Sequence, residues 1–138
     1  MNRLHRLLIR HEGYKDKPYE DSSGNLTIGV GRHLDSLGLS RDEILYLLDN
    51  DIARCDRELR HNFKWYISLC RVRQDAMVNL CFNLGITRLL TFKRALKAMS
   101  EEKYVVAGDE FLDSKWAQQV GESRSSDVAY MIRTGRYP

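Results

Sequence analysis

The sequence predicts an α+β fold, mostly helical with a small antiparallel β region, and three observations carry that expectation. Apolar residues recur at helical spacing in several separate stretches, most clearly from Ile44 to Leu59. Between Tyr19 and Gly31 the pattern changes to turn residues and alternation, the signature of a hairpin or meander. The chain has 138 residues, 43% hydrophobic and 30% charged with two prolines, which suits one globular domain and excludes disorder.

Each element has its own signal. Leu4, Leu7 and Leu8 give helical spacing for a short first helix that Gly13 closes. Ser22-Ser23-Gly24-Asn25 is a turn, and Thr27 and Ile28 alternate on an extended segment beyond it. Ser40 and Glu43 form a capping box, after which Ile44, Leu47, Leu48, Ile52, Cys55 and Leu59 mark one long amphipathic helix. A further helix is expected from about Arg71 to Leu84, with Val72, Ala76, Met77 and Leu80 inward and Gly85 as its stop. Leu89, Phe92, Leu96 and Met99 mark another, and Ser100 is placed to cap a helix carrying Tyr104, Val105, Ala107 and Phe111. A last helix is expected from about Ser126 to Arg133, with Gly135 past its end. The order predicts a single domain over residues 1–138. A β-bearing lobe of about 13–60 faces a helical lobe of about 61–138 plus the N-terminal helix, with a cleft between the lobes.

Composition narrows function less than fold. A net charge of +3 and a pI near 8.8 favour approach to an anionic polymer but fall well short of a nucleic-acid footprint. Cys55, Cys70 and Cys81 cannot all pair within the chain and show no metal-ligand spacing, so free thiols are expected and no metal. Leu7-Leu8-Ile9 is bracketed by Arg6 and Arg10, too short for a signal peptide or for the roughly twenty residues of a membrane span. No signal peptide and no stable membrane insertion are therefore expected.

The candidate chemistry lies between Glu12 and Gly31. A carboxylate at a helix C-terminus faces the negative end of the macrodipole, a field that favours the protonated form a general acid needs. Asp21 alone reads as a turn residue and Thr27 as a strand threonine, while Glu20 competes with Asp21 for any carboxylate role. Gly29 and Gly31 read as strand kinks or as places where a polysaccharide approaches the backbone. One carboxyl held protonated, a second ionised and a hydroxyl that holds water together suggest glycosidic hydrolysis.

These residues carry a resemblance. Glu12-Gly13, then Asp21, then Thr27-Ile28-Gly29-Val30-Gly31 is similar to the catalytic region of the phage-type lysozymes, glycoside hydrolase family twenty-four. Arg73 to Gly85 resembles the family's central helix, and Ser114-Lys115-Trp116 with Arg133-Thr134-Gly135 resembles its closing segments. The match implies Glu12 as general acid, Asp21 as second carboxylate and Thr27 as the hydroxyl beside the attacking water, with Asp21 favoured over Glu20 by its spacing to Thr27. It implies Phe82 and Asn83 near the substrate and Arg124 as a possible partner of Glu12. Trp116 reads as core more readily than as a ligand platform. One departure stands out: where many members have His after the second glycine, this chain has Arg32, with His33 behind it.

The activity so implied is hydrolysis of the β-1,4 bond between N-acetylmuramic acid and N-acetylglucosamine in peptidoglycan, without cofactor. The implied setting is a phage or prophage endolysin, monomeric, held in the host cytoplasm and acting on the periplasmic cell wall after holin-type release or virion delivery. A lytic transglycosylase and a non-catalytic wall-binding virion component are the alternatives.

Overall fold

A computed structural model describes residues Met1–Pro138, and the chain divides into two compact units, Met1–Leu47 and Leu48–Pro138. The α+β expectation holds: nine α-helices accompany one three-stranded antiparallel sheet.

In the first unit, α1 (Arg3–Glu12) opens with a reciprocal cap. The Asn2 side chain accepts from the His5 N–H at 2.9 Å, and His5 Nδ1 accepts from the Asn2 N–H at 3.1 Å. Gly13 ends the helix at φ 86° and ψ 176°, its N–H donating to the Ile9 carbonyl, in a region essentially reserved for glycine that costs other residues on the order of 1–3 kcal/mol. The sheet follows as β1 (Lys15–Glu20), β2 (Leu26–Gly29) and β3 (Arg32–His33), with β2 central. Pro18 is tolerated because β1 is an edge strand and its register with β2 is irregular between Lys15 and Tyr19. Tyr19, Thr27 and His33 lie opposite one another in a row across the three strands.

A short α2 (Leu34–Leu37), for which the sequence reading made no provision, is stopped by Gly38. The predicted capping box is present at the start of α3 (Arg41–Asn62): Ser40 N–H donates to Glu43 and Glu43 N–H donates to Ser40 Oγ, each at 3.2 Å. Arg32 joins this corner, its guanidinium reaching Glu43 at 3.0 Å and the Gly38 carbonyl at 2.9 Å. The residue in the usual family histidine position thus ties β3 to the N-terminus of α3.

In the second unit the remainder of α3 is followed by a 3₁₀ turn (Tyr66–Ser68), α4 (Arg71–Leu84), α5 (Ile86–Leu89), α6 (Lys93–Ser100), α7 (Tyr104–Leu112), α8 (Lys115–Val120) and α9 (Glu122–Thr134). Its core holds Cys55 and Leu59 from α3, Met77 and Leu80 from α4, Phe111 from α7, Trp116 from α8, and Val128 and Ile132 from α9. α4 matches the predicted bounds, with Gly85 as its stop. α7 and α9 approach closely at Gly108, where a Cβ would come within 2.7 Å of Arg133 Cγ and 3.2 Å of the Ala129 carbonyl. Arg73 closes the last helix from the side, donating to the carbonyls of Ile132 at 2.7 Å and Arg133 at 3.2 Å while stacking over Tyr104.

Three expectations change. The segment marked by Leu89 and Met99 is two helices, because Thr91 Oγ1 bonds back to the Arg88 carbonyl and Phe92 leaves helical geometry at ψ 60°. Ser100 does not cap the next helix; it is the last residue of α6, its hydroxyl donating to the Lys97 carbonyl, and the chain turns at Glu102 with φ 60° before α7. The last helix begins at Glu122 rather than Ser126, preceded by α8, whose N-cap Ser114 accepts from the Ala117 N–H.

Candidate active site

Glu12 is the last residue of α1, exposed, and its side chain lies against the backbone of Gly31. A Cβ built on Gly31 would fall 2.8 Å from Glu12 Oε2 and 3.2 Å from its Cδ, and Gly31 itself has φ 69°. Glycine is required there twice over, by backbone conformation and by lack of room.

Asp21 follows β1 directly and organises the turn that the sequence placed there. Its Oδ1 accepts from the backbone N–H groups of Ser23 at 2.9 Å and Asn25 at 2.8 Å. Its Oδ2 meets the Asn25 side-chain amide at 3.3 Å and His33 Nε2 at 3.1 Å. The Asn25 backbone N–H, above all, holds the carboxyl below the ordinary aspartate range; partial burial opposes this, and the Asn25 amide, the Ser23 N–H and the His33 charge support it. Asp21 is therefore ionised at neutral pH. Glu20 is exposed at the end of β1, opposite Leu26.

Thr27 is buried on the central strand, and its hydroxyl donates to the Asn25 carbonyl at 2.8 Å. With its proton committed, the hydroxyl oxygen keeps only its capacity as an acceptor. Asn25 links the two residues: its backbone and side chain hold Asp21 while its carbonyl holds Thr27. The first unit thus carries Glu12 against Gly31 and, separately, Asp21 and Thr27 joined through Asn25.

The other candidates belong to the second unit. Phe82 on α4 is partly exposed and lines a groove of about 470 Å³ together with Arg124, from the first turn of α9. Asn83 is exposed, and its carbonyl oxygen accepts from Trp116 Nε1 at 2.8 Å. Trp116 is buried in the core, as the sequence reading preferred.

Sequence reasoning missed two residues of this site, Asn25 and His33. The Asn25 signal was available, since a side chain four residues past an Asp in a tight turn is within reach of it. His33 comes into range through the pairing of β2 with β3, which opposes it to Thr27. No local motif announces that pairing.

Two carboxyls and a threonine hydroxyl on a small sheet and a helix end, in an α+β chain, are the group types glycosidic hydrolysis uses. A model of the family described as phage lysozyme matches residues 9–129, and the chain belongs to that family. It is similar to "Probable T4-type lysozyme 1" of Dictyostelium discoideum, 28% identical over 158 residues that cover 94% of this chain and 92% of that protein. It is similar to an endolysin of Acyrthosiphon pisum secondary endosymbiont phage 1, 30% identical over 130 residues, covering 92% of this chain and 86% of that one. The pre-baseplate central spike protein Gp5 of Enterobacteria phage T4 is 27% identical over 158 residues, 94% of this chain but only 27% of the spike protein. The chain is a peptidoglycan-hydrolysing enzyme of the lysozyme type, acting on the cell wall. No helix is long and apolar enough to cross a membrane.

Proposed function

We propose that this enzyme is a muramidase that cleaves the β-1,4 bond between N-acetylmuramic acid and N-acetylglucosamine with inversion. One observation supports the reading most: Asp21 is held ionised by four donors beside a buried hydroxyl, Thr27, whose proton is already committed. Glu12, on a different element of the same unit, is free of such donors and protonates the leaving oxygen. Asp21 stabilises the positive charge that develops on the sugar ring and helps Thr27 orient the attacking water. Inversion requires the carboxyls about 6.5–9.5 Å apart, room enough for that water.

Glu12 is exposed at the end of α1, where bound sugar excludes water from it. The endolysin among the relatives supports a role in host lysis: a monomer held in the cytoplasm until a holin-type pore releases it to the wall. The spike protein among the relatives supports a second setting, delivery with a virion.

Glu12→Gln tests the assignment. The amide keeps the size of the side chain but cannot give up a proton, so lysis of purified murein disappears while helical circular dichroism stays at the parental level. Parental lysis by this variant would remove Glu12 as the acid.

A further inference from the structure

The family pattern accounts for Glu12, Asp21 and Thr27, but not for the histidine that touches Asp21. His33 Nε2 lies 3.1 Å from Asp21 Oδ2, closer than the Asn25 amide at 3.3 Å on the same oxygen. The two carboxylate oxygens are held differently. Oδ1 takes two backbone N–H bonds from within its own turn, so it is fixed wherever that turn forms. Oδ2 has side-chain partners only, one from the turn and one from β3. The direction in which Oδ2 points is set by those two side chains, and only one of them comes from outside the turn.

β3 supplies that outside anchor by register. His33 pairs with Thr27, so the two side chains lie on the same face of the sheet, with Tyr19 in the same row on β1. Its chain neighbour Arg32 is drawn the other way, to Glu43 and the Gly38 carbonyl. Arg32 thereby fixes β3 to α3, while His33 is left to face Asp21. Charge supports the contact, since an imidazolium attracts the carboxylate and a neutral ring protonated at Nε2 still donates to it.

We infer that His33 is a positioning residue for Asp21, tying Oδ2 to the strand that carries Thr27's partner and so fixing the carboxylate relative to the water-orienting hydroxyl. The inference rests on the reading of Asp21 as the second carboxylate. Oδ2 is then the working oxygen, with all four acceptor sites of the carboxylate filled before substrate arrives. The attacking water takes the place of the longer, weaker Asn25 amide contact, while His33 holds its oxygen throughout.

Three variants separate the possibilities. His33→Ala lowers kcat on soluble murein fragments about three- to tenfold, the range of one partly solvated charged hydrogen bond, and leaves KM unchanged. The Asp21 carboxyl, followed by NMR, titrates at higher pH in this variant than in the parent. His33→Gln, whose amide can donate to the same oxygen, recovers most of the lost kcat. Asp21→Asn serves as the reference: its loss of lysis upholds the reading of Asp21, and parental lysis by it would remove that reading itself. With Asp21→Asn inactive, parental kcat and an unmoved Asp21 titration in His33→Ala would overturn the positioning role. Equal losses in His33→Ala and His33→Gln would overturn it too, because the hydrogen bond would then not be what matters.

Discussion

Glu12 and Gly31 touch: the carboxyl at the end of α1 lies where the Cβ of any other residue at 31 would have to go. The second glycine of the Thr-Ile-Gly-Val-Gly segment therefore sets the position of the candidate acid.

Gly31→Ala tests that contact. The new methyl forces Glu12 Oε2 aside and meets a backbone at φ 69° that an L-residue adopts at a cost of about 1–2 kcal/mol. Turnover falls about 10- to 100-fold, as expected when a reacting group is displaced by about an ångström. Thermal denaturation shows the modest stability loss, and the lysis rate the larger catalytic one. Unchanged lysis would mean that Glu12 reacts from another position.

Asp21 and Glu20 are neighbours with opposite expected roles. Asp21→Asn removes most activity and Glu20→Gln removes little, because only Asp21 is gathered into the turn beside Thr27. The folded Asp21 titrates below its ordinary value of 3.8, so its contribution to stability is complete above that value and is lost as pH falls through the lower folded one. Acid unfolding of Asp21→Asn accordingly lacks this component. Greater damage from Glu20→Gln would place the working carboxylate one residue earlier.

Thr27→Val keeps the branched shape and strand preference while removing the hydroxyl. The Asn25 carbonyl still accepts from the Asp21 N–H, so folding loses only about 1 kcal/mol. Turnover falls about 100-fold with murein binding retained, because no oriented acceptor remains for the water. A transglycosylase, whose nucleophile is the sugar's own hydroxyl, would be indifferent to this change.

The cysteines divide by exposure. Cys70 is exposed, whereas Cys55 and Cys81 are buried and burial pushes both thiols above their ordinary range. A thiol reagent modifies Cys70 quickly in the native protein and the other two only on unfolding, with lysis unaffected by the first reaction. Cys55→Ala or Cys81→Ala lowers the melting temperature through lost packing. Fewer than three thiols in denatured, unreduced protein would contradict the free state of all three.

What could be read from the sequence was local. Gly13 and Gly85 stop helices because their positive φ values suit glycine, and the Ser40–Glu43 box needs only residues three apart. The break between α5 and α6 has no proline or glycine to announce it, and Leu89, Phe92, Leu96 and Met99 keep an unbroken apolar rhythm across it. The turn at Glu102 occupies a left-handed conformation that glutamate rarely adopts, so only tertiary packing reveals it. The candidate site follows the same rule. Glu12, Asp21 and Thr27 stand in a recognisable motif, while the contacts of Gly31 with Glu12 and of His33 with Asp21 arise from chain pairing.

In the proposed mechanism Glu12, Asp21 and Thr27 direct a water to the face of the sugar opposite the leaving group. Proton NMR of a soluble murein oligomer, read in the first moments of digestion before the anomers equilibrate, tests it most directly. Inverting hydrolysis of the β-1,4 bond predicts new reducing muramic acid ends that appear first as the α-anomer. Ends that appear first as the β-anomer would contradict the positioned-water mechanism, and anhydro-muramic ends would show that no water attacks at all.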